Sequence, residues 1–222
     1  MAIDGPSAAG KSTVGRGVAQ RLGYLFLDTG AMYRAVTFAA LQEGVDLRDE
    51  EALVELAHSL QIDIGPPPAG SIESCSVSLN GQDVTDQLRL REVESAVSLV
   101  SRIPGVRHAL VRIQREIASK QSVVMAGRDI GTVVLPDAPL KIYLEASVEE
   151  RARRRFLEMQ SLGRKVDFEQ VKTELSRRDR IDTERATSPL IPAPDAVIIN
   201  TDDLTLEQVI DKVLELVRAR LC

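Results

Sequence analysis

A glycine-rich segment at the start of this chain constrains its fold more than any other feature. Residues Gly5 to Ser12 read GPSAAGKS and fit the pattern G-x-x-x-x-G-K-[ST], which joins a strand to a helix. Apolar Met1 to Ile3 predict the strand, and Val14 and Val18 share one face of the predicted helix. Because the intervening side chains are small, consecutive backbone N–H groups can converge on a polyanion. The chain therefore begins with a predicted phosphate-binding loop.

Each part of this loop has a predicted role toward a nucleotide. The N-terminus of the following helix adds unpaired donors and a partial positive charge. Lys11 supplies a point charge for the β- and γ-phosphates, and a hydroxyl at the start of the helix can help hold Mg²⁺. We assign the metal to Ser12, with Thr13 as the alternative. The predicted nucleotide contacts are Gly5, Pro6, Ser7, Ala8, Ala9, Gly10, Lys11, Ser12 and Thr13.

The composition is that of an ordinary globular protein. The chain has 222 residues, of which 44% are hydrophobic and 27% charged, and that is enough for one sizeable core. No apolar run approaches roughly eighteen residues and no basic-then-apolar leader begins the chain, so we expect a soluble protein with neither a membrane span nor a signal. With Cys75 and Cys222 as the only cysteines, a reduced, cytoplasmic setting is the expected location. The two cysteines and two histidines offer no metal-ligand spacing.

Strand and helix patterns alternate over most of the sequence. This alternation predicts an α/β fold with a doubly wound, five-stranded parallel sheet and crossover helices. The predicted strands lie near residues 1–3, 24–27, 122–126, 140–144 and 196–199. The predicted helices lie near residues 11–22, 31–41, 49–60, 92–101, 104–119, 148–162, 167–185 and 205–221.

The alternation of strands and helices breaks at residues 62–86. Asn80-Gly81 separates two extended segments, 72–79 and 82–84, and Asn-Gly between such segments is a hairpin signal. Small or apolar residues alternate with serines before this turn, which is typical of a strand with one solvated face. A proline-rich loop precedes it at residues 65–70. We therefore predict a small antiparallel insertion that is separate from the parallel sheet.

Polar residues follow three of the predicted parallel strands. They are the segment from Asp4 to Lys11, the segment Asp28-Thr29-Gly30 and the segment Gly127-Arg128-Asp129. Ligands of such sheets bind beyond the carboxyl ends of the strands, so these segments are candidates for one site. A helix cap is the alternative role for Asp129.

Arginine is concentrated between residues 151 and 185, which hold eleven Lys or Arg and seven Asp or Glu in a chain of net charge −5. Arg178, Asp182 and Arg185 share one helical face by their spacing, as do Arg151, Arg154 and Arg155. Solvated faces with local ion pairs are the simpler interpretation. The planar guanidinium group, however, binds phosphate in a bidentate way that lysine cannot match.

Four motifs resemble the bacterial-type cytidylate (CMP) kinases, which are P-loop nucleoside monophosphate kinases. They are GPSAAGKST at 5–13, LDTGAMYR at 27–34, GRDIGTVVLPD at 127–137 and ERARR at 150–154. The resemblance runs along almost the whole chain. It implies a single P-loop kinase domain over residues 1–222, with a core at 1–60, 120–147 and 186–222. It also implies a CMP-binding insertion at about 62–119 and a helical lid at about 148–185.

The resemblance implies transfer of the γ-phosphoryl group from ATP to CMP or dCMP. We expect Mg²⁺ as cofactor and a monomeric protein. It places Thr29, Arg34, Arg128 and Arg185 around the CMP phosphate, with Tyr33 beside them. It places Arg178 and Asp182 at the ribose, and Ser98, Arg107 and Asp129 at the cytosine. The groups implied in catalysis are Lys11, Arg128, Arg151, Arg154 and Arg155.

Three other functions fit part of the sequence. A regulatory P-loop GTPase needs Asn-Lys-x-Asp for guanine, and residues 200–203 (NTDD) lack the lysine. Another small-molecule kinase, acting on shikimate or gluconate, would share the loop, but the insertion and the Tyr33-Arg34 pair favour a nucleotide acceptor. Nucleic-acid binding through Arg151 to Arg155 lacks interleaved aromatic residues for stacking, so we expect no nucleic-acid partner.

Overall fold

The computed structural model describes residues 1–67 and 75–221. Helices and strands alternate along most of this length. The strands are β1 Ala2–Asp4, β2 Leu25–Asp28, β3 Ile62–Gly65, β4 Ser76–Leu79, β5 Gln82–Asp83, β6 Val123–Ala126, β7 Lys141–Glu145 and β8 Val197–Asn200. The helices are α1 Lys11–Leu22, α2 Thr29–Glu43, α3 Glu50–Ser59, α4 Arg91–Val100, α5 Pro104–Lys120, α6 Val148–Ser161, α7 Phe168–Glu184 and α8 Leu206–Leu221.

The main sheet has five strands in the order β2-β6-β1-β7-β8. The pairings of β2 with β6, of β1 with β7 and of β7 with β8 are all parallel. In each pair, the chain between the two strands contains at least one helix, because parallel strands cannot be joined by a tight turn. The predicted doubly wound parallel sheet is therefore confirmed, and the glycine-rich loop follows its central strand.

The chain consists of two compact units. One consists of Met1–Val18 with Gly127–Cys222, and the other is Ala19–Ala126. In the first unit the large, fully buried side chains include Ile3 on β1, Ile142 and Leu144 on β7, and Leu140 directly before β7. In the second they come from strands and helices together, namely Leu27, Met32, Leu53, Leu110 and Met125. The predicted division into core, insertion and lid stays a prediction.

A separate antiparallel sheet of three strands, in the order β3-β4-β5, confirms the predicted insertion. Its tight turn is Asn80-Gly81, whose φ angles of 50° and 82° are the positive values that such hairpins need. The first strand, β3, was not predicted, because two alternating isoleucines are a short signal. Parts of the predicted loop at 65–70 and strand at 72–79 fall in residues 68–74, outside the described residues.

Five of the described helices, α2, α3, α6, α7 and α8, follow a residue whose side chain accepts a hydrogen bond from the backbone of the first turn. This geometry satisfies N–H groups that have no partner inside the helix. The capping residues are Asp28, Asp49, Ser147, Asp167 and Thr205. The predicted cap at Thr205 is confirmed. Across the described part of the chain, every helix is too short or too polar to cross a membrane.

Candidate active site

The phosphate loop connects β1 to α1 and has an unusual backbone. Gly5, Ala8 and Gly10 have φ angles of 146°, 61° and 91°. A Cβ atom on Gly5 would lie 2.1 Å from the carbonyl oxygen of Leu144, so the chain can pass there only with glycine. Helix α1 begins directly after the loop, at Lys11. The structure thus provides the strand, loop and helix N-terminus that the motif predicts.

Lys11 lies folded back over this loop. Its side chain is buried, with 7% of the residue exposed, and its Nζ donates a hydrogen bond of 2.6 Å to the carbonyl oxygen of Pro6. An ammonium group has three donors and no acceptor, so the same nitrogen can serve further oxygens beyond Pro6. The predicted point charge is therefore placed at the loop.

Asp4, the last residue of β1, carries a buried carboxylate directly before the loop. Its Oδ1 accepts from the backbone N–H of Ile130 at 2.8 Å, and its Oδ2 accepts from Gly131 at 2.7 Å. Burial raises the pKa of Asp4 to about 6; Asp129 adds to this rise, whereas the two hydrogen bonds and Lys11 oppose it. Asp4 therefore joins the phosphate loop to the segment after Asp129.

The raised pKa of Asp4 predicts a pH dependence of stability. The folded protein takes up this proton near pH 6, but the unfolded chain does so near the ordinary value of 3.8. Stability from this group is thus complete below 3.8 and is lost as the pH rises through about 6. We expect acidification from pH 7 to pH 5 to raise the free energy of unfolding by about 1.4 kcal/mol through Asp4.

Urea unfolding of the wild type and of Asp4→Asn at both pH values tests this expectation. The variant cannot take up the proton, so the change from pH 7 to pH 5 should be more favourable in the wild type by that amount. Other titrating groups are common to the two proteins and cancel in the comparison. Equal changes in both proteins would show that Asp4 does not titrate in this range.

Arg151 on α6 donates a hydrogen bond to the backbone of the phosphate loop. The residue is 6% exposed, and its Nη1 donates to the carbonyl oxygen of Ser7 at 3.1 Å. Its Nε donates to the carbonyl oxygen of Ala146 at 3.0 Å, and Nη1 lies 2.7 Å from Oδ2 of Asp179 on α7. Arg151 therefore ties the loop backbone to α7, which sequence analysis did not predict.

Arg154, one turn later on α6, also approaches the loop. Its Nη1 lies 3.9 Å from the position that a Cβ on Gly10 would occupy. The guanidinium group donates to the hydroxyl and carbonyl oxygens of Thr201 at 3.0 and 2.6 Å, and its Nε donates to Glu150 at 2.8 Å. Arg155 instead pairs along its own helix with Glu158 at 2.9 Å.

A cluster of five charged residues lies beyond β6. Arg128 Nε donates to Oδ2 of Asp182 at 2.9 Å. Arg185 Nη1 lies 3.7 Å from Oδ1 of Asp182, and its Nη2 lies 3.8 Å from Oδ1 of Asp129. Burial works to raise the pKa of Asp182, but Arg128, Arg185 and Arg178 outweigh burial and hold that pKa below its ordinary value. The structure thus brings these five predicted residues together.

In the second unit, Thr29 and Arg34 lie in the first turns of α2. The Thr29 hydroxyl donates to the carbonyl oxygen of Ala126 at 2.9 Å, and Asp28 accepts from the N–H of Gly30 at 3.0 Å. Arg34 Nη2 lies 3.6 Å from Oδ2 of Asp28. The Nε of Arg34 is buried and has no hydrogen-bond partner within the described residues. A buried guanidinium N–H in this state is a candidate donor to an anion.

Tyr33 and Arg107 meet in the same unit. The guanidinium carbon of Arg107 on α5 lies 5.3 Å from the centre of the Tyr33 ring, which is cation–π distance. Arg107 Nη1 donates to the carbonyl oxygen of Ser101 at 3.0 Å, and only 2% of the residue is exposed. Ser98 on α4 is also buried. These contacts fix a buried positive charge beside an aromatic ring.

The donor set fits a magnesium ion only with help from a nucleotide. In the described part of the chain, no group of three or more His, Cys, Asp or Glu is arranged to hold a metal. Both oxygens of Asp4 already accept backbone hydrogen bonds. Ser12 lies in the first turn of α1, half-buried, and offers one hydroxyl. Because Mg²⁺ keeps several waters and binds substrate phosphate oxygens, a protein hydroxyl would be one ligand among several.

Comparison with known proteins assigns the chain to a family. The sequence model for cytidylate kinase matches residues 1–219. The chain belongs to the cytidylate kinase family. It is 52% identical to the cytidylate kinase of Geobacillus kaustophilus over 221 residues, covering 100% of this chain and 97% of that protein. It is equally identical to the cytidylate kinase of Geobacillus thermodenitrificans, with the same coverage.

A solved structure supports the fold of this cytidylate kinase family member. Shikimate kinase from Bacteroides thetaiotaomicron superposes with a TM-score of 0.51 at 13% identity, covering 98% of this chain and 97% of that chain. At this identity the likeness concerns the fold alone. The P-loop kinase fold that the resemblance implied is therefore confirmed.

Sequence analysis did not assign a role to several residues that the structure places at the site of this family member. Asp4 and Asp28 lay in the candidate segments, because each ends a strand of the main sheet, but neither was given a role of its own. The others act through contacts between distant segments. They are Glu150 and Thr201, which bind Arg154, and Asp179, which binds Arg151.

Proposed function

We propose that this chain transfers the γ-phosphoryl group of ATP to CMP or dCMP and gives ADP with CDP or dCDP. One observation carries the proposal, namely 52% identity over the whole chain to proteins named cytidylate kinase. The geometry of the loop supports the ATP half of the reaction, because it offers a helix N-terminus and a buried lysine where a polyphosphate would lie.

ATP is proposed to bind across residues 5–13. The N–H groups of the loop and of α1 would face the phosphate oxygens, and Lys11 would exchange or share its bond with Pro6 to reach the β- and γ-phosphates. Mg²⁺ would bind through the Ser12 hydroxyl, with Thr13 as the alternative. When bound, the metal neutralises charge on the β- and γ-phosphates.

CMP is proposed to bind through three sets of residues. Arg34 supports the phosphate role, because its buried Nε has no partner within the described residues. Asp182, whose carboxylate is ionised and buried, is suited to accept from ribose hydroxyls. The proposed phosphate contacts are Thr29, Tyr33, Arg34, Arg128 and Arg185; the ribose contacts are Arg178 and Asp182; the base contacts are Ser98, Arg107 and Asp129.

The chemistry of transfer requires charge more than proton transfer. The attacking phosphate oxygen of CMP is largely ionised at neutral pH, so the reaction needs no general base. The barrier is repulsion between two polyanions, and preorganised positive groups lower it. Lys11, Arg128, Arg154 and Arg155 are the proposed groups that contact the transferring phosphates. Arg151, the fifth proposed catalytic group, donates to the backbone of Ser7 and would add positive charge behind the loop.

We expect Arg154 to change partners during this reaction. In the structure its guanidinium group donates three hydrogen bonds to Glu150 and Thr201, out of the five N–H donors that arginine has. A hinge movement of α6 that exchanges these bonds for phosphate oxygens would also exclude water from the site. The lid role of residues 148–185 remains a proposal on this basis. The monomeric state, the cytoplasmic location and the absence of a nucleic-acid partner also remain predictions from the sequence.

A coupled assay of ADP release across a panel of acceptors tests the proposed function. We expect CMP and dCMP to give the highest kcat/KM, with UMP, AMP, shikimate and gluconate well below them. A reaction without acceptor measures ATP hydrolysis and serves as the control. A higher kcat/KM for shikimate, gluconate or AMP than for CMP would contradict the proposal.

A further inference from the structure

We propose that Asp4 is the positioning residue for Asp129 and thereby sets how the base of the acceptor nucleotide is distinguished. The inference rests on the proposed function, because it assumes that Asp129 contacts cytosine. Asp4 itself would touch neither substrate. Its effect passes through the backbone of the segment that follows Asp129.

A short turn directly follows Asp129. Ile130–Val134 forms one wide helical turn, in which the carbonyl oxygen of Asp129 accepts from the N–H groups of Val133 and Val134 at 2.9 and 3.1 Å. The leading N–H groups of a helical turn have no acceptor within it. The side chain of Asp129 makes no capping hydrogen bond. The start of this turn must therefore be fixed by another part of the chain.

Asp4 provides that anchor from the central strand of the main sheet. Its two carboxylate oxygens accept from the first two N–H groups of the turn, those of Ile130 and Gly131, at 2.8 and 2.7 Å. This arrangement is an N-cap supplied by a residue 126 positions away. Asp4 is itself held in register with Tyr143 on β7. The anchor is therefore part of the main sheet.

The peptide plane between Asp129 and Ile130 transmits the effect. The Asp129 carbonyl and the Ile130 N–H belong to one planar group. Asp4 holds the N–H side of that plane, and Val133 and Val134 hold the carbonyl side. A plane held on both sides fixes the position of the Asp129 Cα atom and the direction of its Cα–C bond, and thereby restricts where the side chain can leave the backbone. That side chain is 6% exposed and lies 3.8 Å from Arg185.

A carboxylate can bind both N–H groups of this turn, because each of its two oxygens accepts a hydrogen bond. Asparagine has one acceptor oxygen and one NH₂ group, so an amide at position 4 would place a donor against one of the two N–H groups. We expect the turn to rotate or shift in response, because a buried donor without an acceptor is unfavourable. The side chain of Asp129 would then move relative to the base.

The test is the ratio of kcat/KM for CMP to kcat/KM for UMP at saturating Mg·ATP, measured for Asp4→Asn. We expect this ratio to fall at least about tenfold, about 1.4 kcal/mol, mainly through poorer use of CMP. A variant that is only partly folded loses activity equally with both substrates. The ratio is therefore insensitive to a loss of stability alone.

Gly131→Ala perturbs the same contact from its other side. A Cβ atom there would lie 3.3 Å from Oδ2 of Asp4 and 3.1 Å from Cδ of the buried Lys141, so the neighbouring groups must shift. We expect the ratio to fall in this variant as well. Asp137→Asn is the matched control, because it removes an exposed carboxylate from the same stretch of chain. Its ratio should equal that of the wild type.

Two outcomes would overturn the inference in distinguishable ways. If the wild type prefers CMP but both variants keep its ratio within about twofold, Asp4 does not position Asp129 and the proposed function stands. If the wild type does not phosphorylate CMP, the proposed function fails and the inference fails with it. A lowered ratio in both variants with an unchanged control supports the positioning role.

Discussion

Replacing Lys11 by alanine should lower the turnover number for phosphoryl transfer by 10² to 10³, roughly 3–4 kcal/mol of transition-state stabilisation. The ammonium group lies over the phosphate loop with its Nζ 2.6 Å from the carbonyl oxygen of Pro6, so it is preorganised before the nucleotide arrives. Removal of this charge should lower kcat in particular, because negative charge on the transferring phosphoryl group is redistributed in the transition state. The measurement is kcat at saturating Mg·ATP and CMP.

Lys212→Ala is the matched control for this variant. Lys212 lies exposed on α8 of the same unit, so its removal changes the net charge equally without touching the loop. The control should keep the turnover of the wild type. Thermal unfolding of both variants shows whether each is folded at the assay temperature. A folded Lys11→Ala variant that retains more than about a tenth of wild-type turnover would refute the role given to the loop.

The sequence predicted the parts of this protein whose geometry is set by neighbouring residues. The phosphate loop is contiguous, and its glycines, lysine and hydroxyl define a backbone shape with little help from the rest of the fold. The five parallel strands follow from apolar runs that alternate with helical patterns. The Asn80-Gly81 turn is local in the same sense, since its positive φ angles favour these two residues.

The contacts that the sequence did not predict join segments far apart in the chain. Asp4 is separated by 126 positions from the backbone that it caps, and Arg151 by 144 positions from the carbonyl that it binds. In each pair, one of the two hydrogen-bonding groups belongs to the backbone. Backbone groups occur all along the chain, so no side-chain pattern in the sequence shows which of them will be bound. Strand β3 was not predicted for a different reason. Its four residues contain only two apolar side chains, which is too short an alternation to indicate a strand.

Three arginines of α6 share one helical face by their spacing but differ in burial and in their partners. The spacing of Arg151, Arg154 and Arg155 placed them on one face, and the structure gives each a different set of partners. Arg151 is buried against the loop and Asp179, whereas Arg155 pairs with Glu158 on the surface of its own helix. Periodicity predicts a face; the neighbouring elements decide which of its residues are buried.

The wild-type protein should prefer CMP to UMP by at least about a hundredfold in kcat/KM, on the order of 3 kcal/mol. Cytosine presents an amino donor at C4, where uracil presents a carbonyl acceptor. An ionised Asp129 can only accept a hydrogen bond, so it favours the amino group and repels the carbonyl. Arg107 can only donate, which suits O2 and the unprotonated N3 of cytosine, whereas N3 of uracil carries a proton.

Asp129→Ala should narrow this preference mainly by impairing the use of CMP. Asp129 is 4% exposed, and a buried polar site rejects a mismatched analogue strongly because its groups are then left unpaired. Asp137→Ala removes an exposed carboxylate nearby in sequence and should leave the preference unchanged. The measurement is the pair of kcat/KM values for CMP and UMP in all three proteins at saturating Mg·ATP. Equal use of CMP and UMP by the wild type would mean that Asp129 does not distinguish the bases, and the proposed activity would broaden to that of a general pyrimidine nucleotide kinase.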